Sequence, residues 1–209
     1  MARSFYPLPR LVALLENRRH FLLVRDFSGG IPQGPYHLPC SAGKDFKALQ
    51  HDVASLYRGE IALQEELPPF ALEKAKIRPM LIKESLPLCF EKGKTVGKFF
   101  SEKELSDVFV DPVDRAYLEY LFAFLPLYFP KGVLPLEEGD YDKARGLVSA
   151  AYYFHSVHLL PKEAYEEFHA LFTAQVCLAA LQKAFQYLLS RYGLDPNEDR
   201  DALHYQNRK

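Results

Sequence analysis

Apolar positions along the first hundred residues come mostly in short runs, and along the last hundred they recur at helical spacing. Residues 10–15 and 20–25 are apolar runs joined by the polar Glu16-Asn17-Arg18-Arg19, a pattern that predicts a β-hairpin rather than one helix. Residues 26–35 carry three Gly and two Pro, which predicts a loop. Residues 36–39 then read as a short extended segment. Phe46, Leu49, Val53 and Leu56 share one face of a helix over 46–57, with Gly59 as its stop. Beyond Pro68-Pro69, residues 77–90 predict one bent strand or two short ones, with the prolines at edges or a bulge. Residues 91–94 form a turn and 95–100 resume extended structure. Ser101 and Glu104 have the spacing of a capping box, opening a short helix. Asp111-Pro112 supplies an N-cap and a first-position proline for the next helix.

From residue 111 the pattern is helical. A helix over 113–125 is expected to end at Pro126, and a second to run from an Asp140 cap to about Leu159. Pro161 is expected to open one long helix that ends before Gly193. Along it Leu171, Ala174, Leu178, Leu181, Phe185, Leu188 and Tyr192 step by alternating threes and fours, a heptad-like stripe. Residues 140–192 therefore predict an antiparallel helical hairpin packed on the 113–125 helix. The stripe serves either an intramolecular three-helix core or a seam for a homodimer or a protein partner. The fold class is α+β: a mixed β-sheet domain over 1–125, a helical extension over 126–195, and a flexible tail over 196–209.

Composition narrows the function classes. Hydrophobic residues make up 48% and aromatics 14%, which demands a folded core. A net charge of −1 supplies no bulk attraction to nucleic acid or acidic membranes. Two stretches, 1–25 and 74–98, are locally basic and read as solvated strand edges able to meet a phosphate. Cys40, Cys89 and Cys177 are odd in number and widely spaced, which argues against a disulfide framework and for a reducing compartment. No apolar run reaches the ~18 residues of a membrane span, and Arg10 and Arg18-Arg19 interrupt any leader-like stretch. A cytoplasmic protein without a membrane partner is expected.

Tyr36-His37-Leu38-Pro39, a turn through Cys40-Ser41-Ala42-Gly43, Ala48-Leu49 and the block His51-Asp52-Val53-Ala54-Ser55-Leu56 follow one another as strand, loop and helix. That order resembles the signature region of the Nudix hydrolases. Residues 98–105 resemble the family's late strand, which delivers a Phe and enters a Ser-x-x-Glu-Leu helix, and residues 110–115 resemble its continuation into the last helix. The resemblance covers about residues 8–125 and implies a Nudix-like mixed β-sheet sandwich with helices. In the family, glutamates of the block hold divalent metals that bridge a diphosphate and activate water. Here Ser55 and Leu56 stand where the glutamate pair would be, and leucine ligates nothing. His51 replaces the arginine, Asp52 the first glutamate, and Cys40-Ser41 the Gly-Gly. Mg²⁺ takes oxygen ligands in near-octahedral geometry, and only Asp52, with Asp45 or Glu60 nearby, remains to offer any.

The resemblance with its altered block implies a catalytically silent binding or interaction module, expected to need no cofactor. Its ligand, a nucleotide or a nucleic-acid base, would lie beside Tyr36, His37, Phe99 and Phe100. The alternative is a nucleoside diphosphate-linked hydrolase using Asp45, Asp52 and Glu60 around Mg²⁺ or Mn²⁺. The second alternative is a structural assembly component working through the 161–192 helix, with Leu171, Leu178, Leu181, Phe185 and Leu188 as its surface. Outside the resemblance, His155 and His158 have metal-ligand spacing if His169 or Glu166 folds back on them, though aromatic neighbours and a helix end explain them as well. Cys40 precedes a helix where a thiolate is stabilised, with His37 or His51 as its only nearby bases.

Overall fold

A turn that twists the chain the right way starts the sheet. Arg18 and Arg19 both adopt positive φ (50° and 63°), the pair of left-handed residues that a tight hairpin turn needs. Glu16 accepts the Arg19 N–H across it. The strands on either side are β1 (Arg10–Asn17) and β2 (His20–Ser28), paired antiparallel at Glu16↔Phe21 and Asn17↔His20. In this computed structural model residues 5–6, 10–28, 31–40, 47–49, 51, 65–66, 77–82, 89–92 and 95–197 are described. At 10–11, 17, 27–28, 65–66, 77–82, 89–92 and 95–96 the description covers the backbone alone.

Past the turn the two strands part. β1 pairs in parallel with β5 (Ile77–Ile82), from Arg10↔Ile77 to Leu15↔Ile82. β5 carries β4 (Glu65–Glu66) on its other edge. β2 takes β7 (Thr95–Phe100) along one edge and β3 (Ile31–His37) along the other, and β6 (Cys89–Lys92) pairs with β7. The described strands thus form one mixed sheet of order β4-β5-β1-β2-β7-β6 with β3 alongside β2. Val12, Ala13, Leu14 and Leu15 are consecutive and wholly buried. Such a run is what a strand covered on both faces requires.

The expected hairpin is present. The loop expected over 26–35 is not: β2 continues to Ser28 and β3 starts at Ile31. The ladder accepts this Gly- and Pro-rich stretch because β3 runs at the margin, shifting register between Val24 and Asp26, where Pro is tolerated. Of the helix expected over 46–57, Lys47–Leu49 and His51 are helical and the remainder lies outside the described residues.

The capping box at Ser101 opens α1 (Glu102–Leu105) as the spacing predicted. The Ser101 hydroxyl accepts from the Glu104 amide at 3.4 Å, and the Glu104 carboxylate accepts from the Ser101 amide at 2.8 Å. That amide, the Ser101 hydroxyl and Lys98 hold the Glu104 carboxyl down at about 2. Ser101→Ala is expected to cost about 1 kcal/mol of stability, read as a lower denaturant midpoint with an unchanged slope.

Asp111 caps α2 (Pro112–Tyr128) through its Oδ1, which accepts the Val113 and Asp114 amides at 3.1 and 3.3 Å. The helix does not stop at Pro126. It runs on to Tyr128 with a kink at Phe124 (φ −108°, ψ 17°), two residues before the proline that cannot donate to the ladder.

The chain divides into two compact units, Met1–Glu119 and Tyr120–Lys209, and the division falls within α2. In the second unit a 3₁₀ turn (Glu138–Asp140) leads into α3 (Tyr141–Ser156), followed by α4 (Lys162–Thr173) and α5 (Leu178–Tyr192). Asp140 precedes α3 but makes no side-chain capping bond. The single long helix expected from Pro161 to Gly193 is therefore two helices. Gln175 adopts φ 53°, and residues 175–177 pair their backbone with 134–136 instead of continuing the helix. The Cys177 amide donates to the Leu134 carbonyl at 2.9 Å, and the Leu136 amide donates to the Gln175 carbonyl at 2.6 Å. α5 ends at Gly193 in the left-handed conformation, as a C-terminal glycine should.

Candidate functional site

Strand register assigns the four aromatic or imidazole side chains expected around a ligand. β2 and β7 pair as Phe21↔Phe100, Leu22↔Phe99 and Leu23↔Lys98, while β2 and β3 pair as Val24↔His37. Side chains alternate across a strand, and directly opposed residues share a face. Phe21, Leu23, Arg25, Lys98 and Phe100 therefore lie on one face. Leu22, Val24, Phe99 and His37 lie on the other. Tyr36, one residue before His37, belongs to the first face, where its ring meets Phe100 edge-on at 5.1 Å. Tyr36 and Phe100 are brought together; His37 and Phe99 are behind them.

Two cations complete the first face. The Arg25 guanidinium carbon stands 5.4 Å from the centre of the Tyr36 ring, and the Lys98 ammonium 5.0 Å from that of Phe100. Arg25 is held by its Nε, which donates to the Gly34 carbonyl at 2.8 Å, and Lys98 by the Glu104 carboxylate at 3.0 Å. The four run in the order cation, ring, ring, cation. Phe100 is buried and backs the cluster; Tyr36 and Arg25 are half-buried and Lys98 is exposed. Cations over ring faces are each worth about 0.5–1 kcal/mol at exposed sites. Neither Arg25 nor Lys98 was singled out as a site residue by the sequence. The signal that finds them is the same-face alternation Phe21, Leu23, Arg25 on one strand and Lys98, Phe100 on the other.

The position of Tyr36 is set by the chain segment before α2. The Tyr36 amide donates to the Phe109 carbonyl, and the Asp111 amide donates to the Tyr36 carbonyl, both at 2.8 Å. Two residues on, the Leu38 amide donates to Asp114 Oδ2 at 2.8 Å, and the Phe5 amide donates to Asp111 Oδ2 at the same distance. Both aspartates are fully buried. Their oxygens accept from backbone amides of three different segments, which is a structural task.

On the opposite face His37 is buried and packs against Tyr6 with ring centres 4.3 Å apart. Its Nδ1 lies 2.8 Å from the Leu38 carbonyl oxygen and 3.8 Å from Cys40 Sγ. A carbonyl can only accept, so Nδ1 carries the hydrogen. An Nδ1 so occupied does not take a proton from the Cys40 thiol, which removes the geometry a thiol–imidazole nucleophile needs.

Asp45, Asp52 and Glu60 lie outside the described residues, as do Ser55 and Leu56. Leu49 is buried and His51 exposed on the described piece of that helix. Among the described residues no group of three or more His, Cys, Asp and Glu could hold one metal ion. The histidines of the helical unit are engaged with aromatic rings: His155 stacks on Tyr165 at 5.3 Å and 5°, and His169 sits 5.8 Å from the same ring. Of the stripe residues, Leu171, Leu181, Phe185 and Leu188 are buried within the chain, and Leu178 is half-buried.

No family model and no curated protein matches this chain. Among solved structures, the Escherichia coli ORF135 protein superposes with a TM-score of 0.41 at 14% identity, covering 60% of this chain and 93% of that one. MutT, from a study of the Aliivibrio salmonicida and Vibrio cholerae proteins, gives 0.41 at 10% identity, covering 56% and 97%. A Nudix hydrolase from Nitrosomonas europaea gives 0.34 at 13% identity, covering 52% and 84%. Each is a chain that this one is similar to.

Proposed function

We propose that the N-terminal unit is a catalytically silent Nudix-like module that binds a nucleotide, with the base on Tyr36 and the phosphates between Arg25 and Lys98. The observation that supports it is the cation–ring–ring–cation row on one sheet face. A half-buried ring offers a stacking surface, and two fixed cations beside it offer charge to an anion. Stacking of a base on an aromatic side chain is worth about 1–3 kcal/mol. The silent state is argued from the sequence: Ser55 and Leu56 stand where the resembled family carries its paired glutamates.

Titration with nucleoside di- and triphosphates without divalent ions tests this. The chain has thirteen Tyr and no Trp, so tyrosine fluorescence reports on the site. Tyr36→Leu is expected to weaken binding about tenfold, the equivalent of ~1.4 kcal/mol. Arg25→Gln is expected to flatten the salt dependence of binding. Affinities unchanged by both substitutions would rule the site out. Added Mg²⁺ or Mn²⁺ is expected to produce no hydrolysis; turnover that disappears in Asp52→Ala would make the protein a hydrolase with relocated ligands.

A further inference from the structure

The helical unit holds a carboxyl in an unusual place. Glu167, on α4, has a buried Oε2 with no hydrogen-bond partner among the described residues, while the carboxyl is hydrogen-bonded to the Tyr120 hydroxyl of α2. That hydroxyl lies 2.8 Å from the Tyr128 hydroxyl on the same helix. Residues eight apart on a straight helix are separated by about 12 Å along the axis. Here the two ring centres are 6.2 Å apart, across the kink at Phe124 and past Pro126. The hydroxyl pair thus ties down a helix end whose ladder the proline interrupts.

We propose that Glu167, Tyr120, Tyr128 and the kinked last turn of α2 form a proton-operated latch in the helical unit. Protonated, the carboxyl donates to Tyr120 and Tyr120 to Tyr128, and the turn over 124–128 is held as observed. Ionised, the carboxylate still accepts from Tyr120 on one oxygen but places half its charge on the buried Oε2, where no donor among the described residues meets it and burial outweighs the one bond. It turns outward to water, the Tyr120 bond is lost, and the turn loosens.

The surroundings favour this direction. From α2, Tyr120 and Tyr128 face the carboxyl; from α4, Glu163 lies one turn earlier with a charge of the same sign; from α5 comes Tyr192, which itself feels Arg191. Phe124 and Tyr187 wall the cluster, with Tyr187 6.1 Å from both Tyr120 and Phe124. Burial, with Glu163 adding to it and the Tyr120 hydrogen bond opposing it, pushes the Glu167 carboxyl up to about 7, and burial pushes Tyr128 and Tyr192 up to about 12. A carboxyl raised above its unfolded value of 4.5 binds its proton more tightly in the folded state. Its contribution to stability is therefore complete below about 4.5 and lost as pH rises toward 7 and through it.

The test is near-ultraviolet circular dichroism, carried by tyrosine in a protein without Trp, together with thermal midpoints from pH 5.5 to 8.5. The wild-type tyrosine signal is expected to change with a midpoint near 7 while the thermal midpoint falls. In Glu167→Gln that component is expected to vanish. Glu163→Gln is expected to move the midpoint to lower pH without abolishing it. Tyr128→Phe at pH 6 is expected to resemble wild type at pH 8.5. An unchanged pH response in Glu167→Gln or in Tyr128→Phe would overturn the latch. So would ¹³C titration of the wild-type Glu167 carboxyl near 4.5, a measurement independent of any variant's folding.

Discussion

Asp111→Ala is expected to lower the unfolding free energy of the N-terminal unit by about 3–4 kcal/mol, because one buried carboxylate serves three amides. Oδ1 takes the Val113 and Asp114 N–H groups at the start of α2, and Oδ2 takes that of Phe5 at 2.8 Å. Losing an N-cap costs about 1 kcal/mol. A buried donor left without an acceptor costs ~1–3 kcal/mol. The residue is 0% exposed, so water cannot replace the carboxylate without opening the site. Asp111→Asn keeps one acceptor oxygen but points an amide NH₂ at other donors, and is expected to fall between wild type and alanine. Urea unfolding followed by far-ultraviolet circular dichroism measures both. A loss below about 1 kcal/mol for alanine would mean that the surrounding backbone relaxes to find other acceptors. The same substitution bears on the proposed site, since the Asp111 amide donates to the Tyr36 carbonyl. Nucleotide affinity is expected to fall with it, although Asp111 itself touches no ligand.

How far such features were legible in the sequence depends on how local their causes are. The hairpin, the capping box at Ser101 and the Asp111-Pro112 helix start were readable, because each is decided within a few residues by turn chemistry or a cap. The mixed sheet followed by helices was readable from the change in hydrophobic period near residue 111. The break between α4 and α5 was not. Residues 174–177 contain neither Gly nor Pro, and the helix stops because backbone groups of 134–136 capture those of 175–177. That is a tertiary event laid over an unbroken stripe. Pro126 erred the other way: it marks a kink rather than an end. At the site, the sequence pointed to Tyr36 and Phe100 but grouped them with His37 and Phe99. Only the pairing of β2 with β3 and β7 shows that these neighbours in sequence face opposite ways. Arg25 and Lys98 were read as part of basic strand edges, and register turns two of those charges into ring partners. Glu167 gave no signal, since its neighbours Tyr120 and Tyr128 reach it only through the kink.

Leu181→Ala is expected to cost the helical unit about 3 kcal/mol, independent of protein concentration. Leu181 is wholly buried, with Phe185 one turn along α5 and the Phe168 ring 5.7 Å from that of Phe185. Truncating a buried leucine removes transfer free energy and leaves a cavity, together ~2–5 kcal/mol. The stripe from Leu171 to Leu188 has the steps of a coiled-coil seam, and concentration separates seam from core. If folded chains were stabilised by association through it, a hundredfold dilution would remove about 2.7 kcal/mol by mass action. An intramolecular core loses nothing on dilution. Melting wild type and Leu181→Ala across a hundredfold concentration range decides the matter. Parallel, flat midpoints with a constant gap between the two proteins place Leu181 in the core of one chain. A wild-type midpoint that rises with concentration, and a gap that widens with it, would return the stripe to an interface between copies.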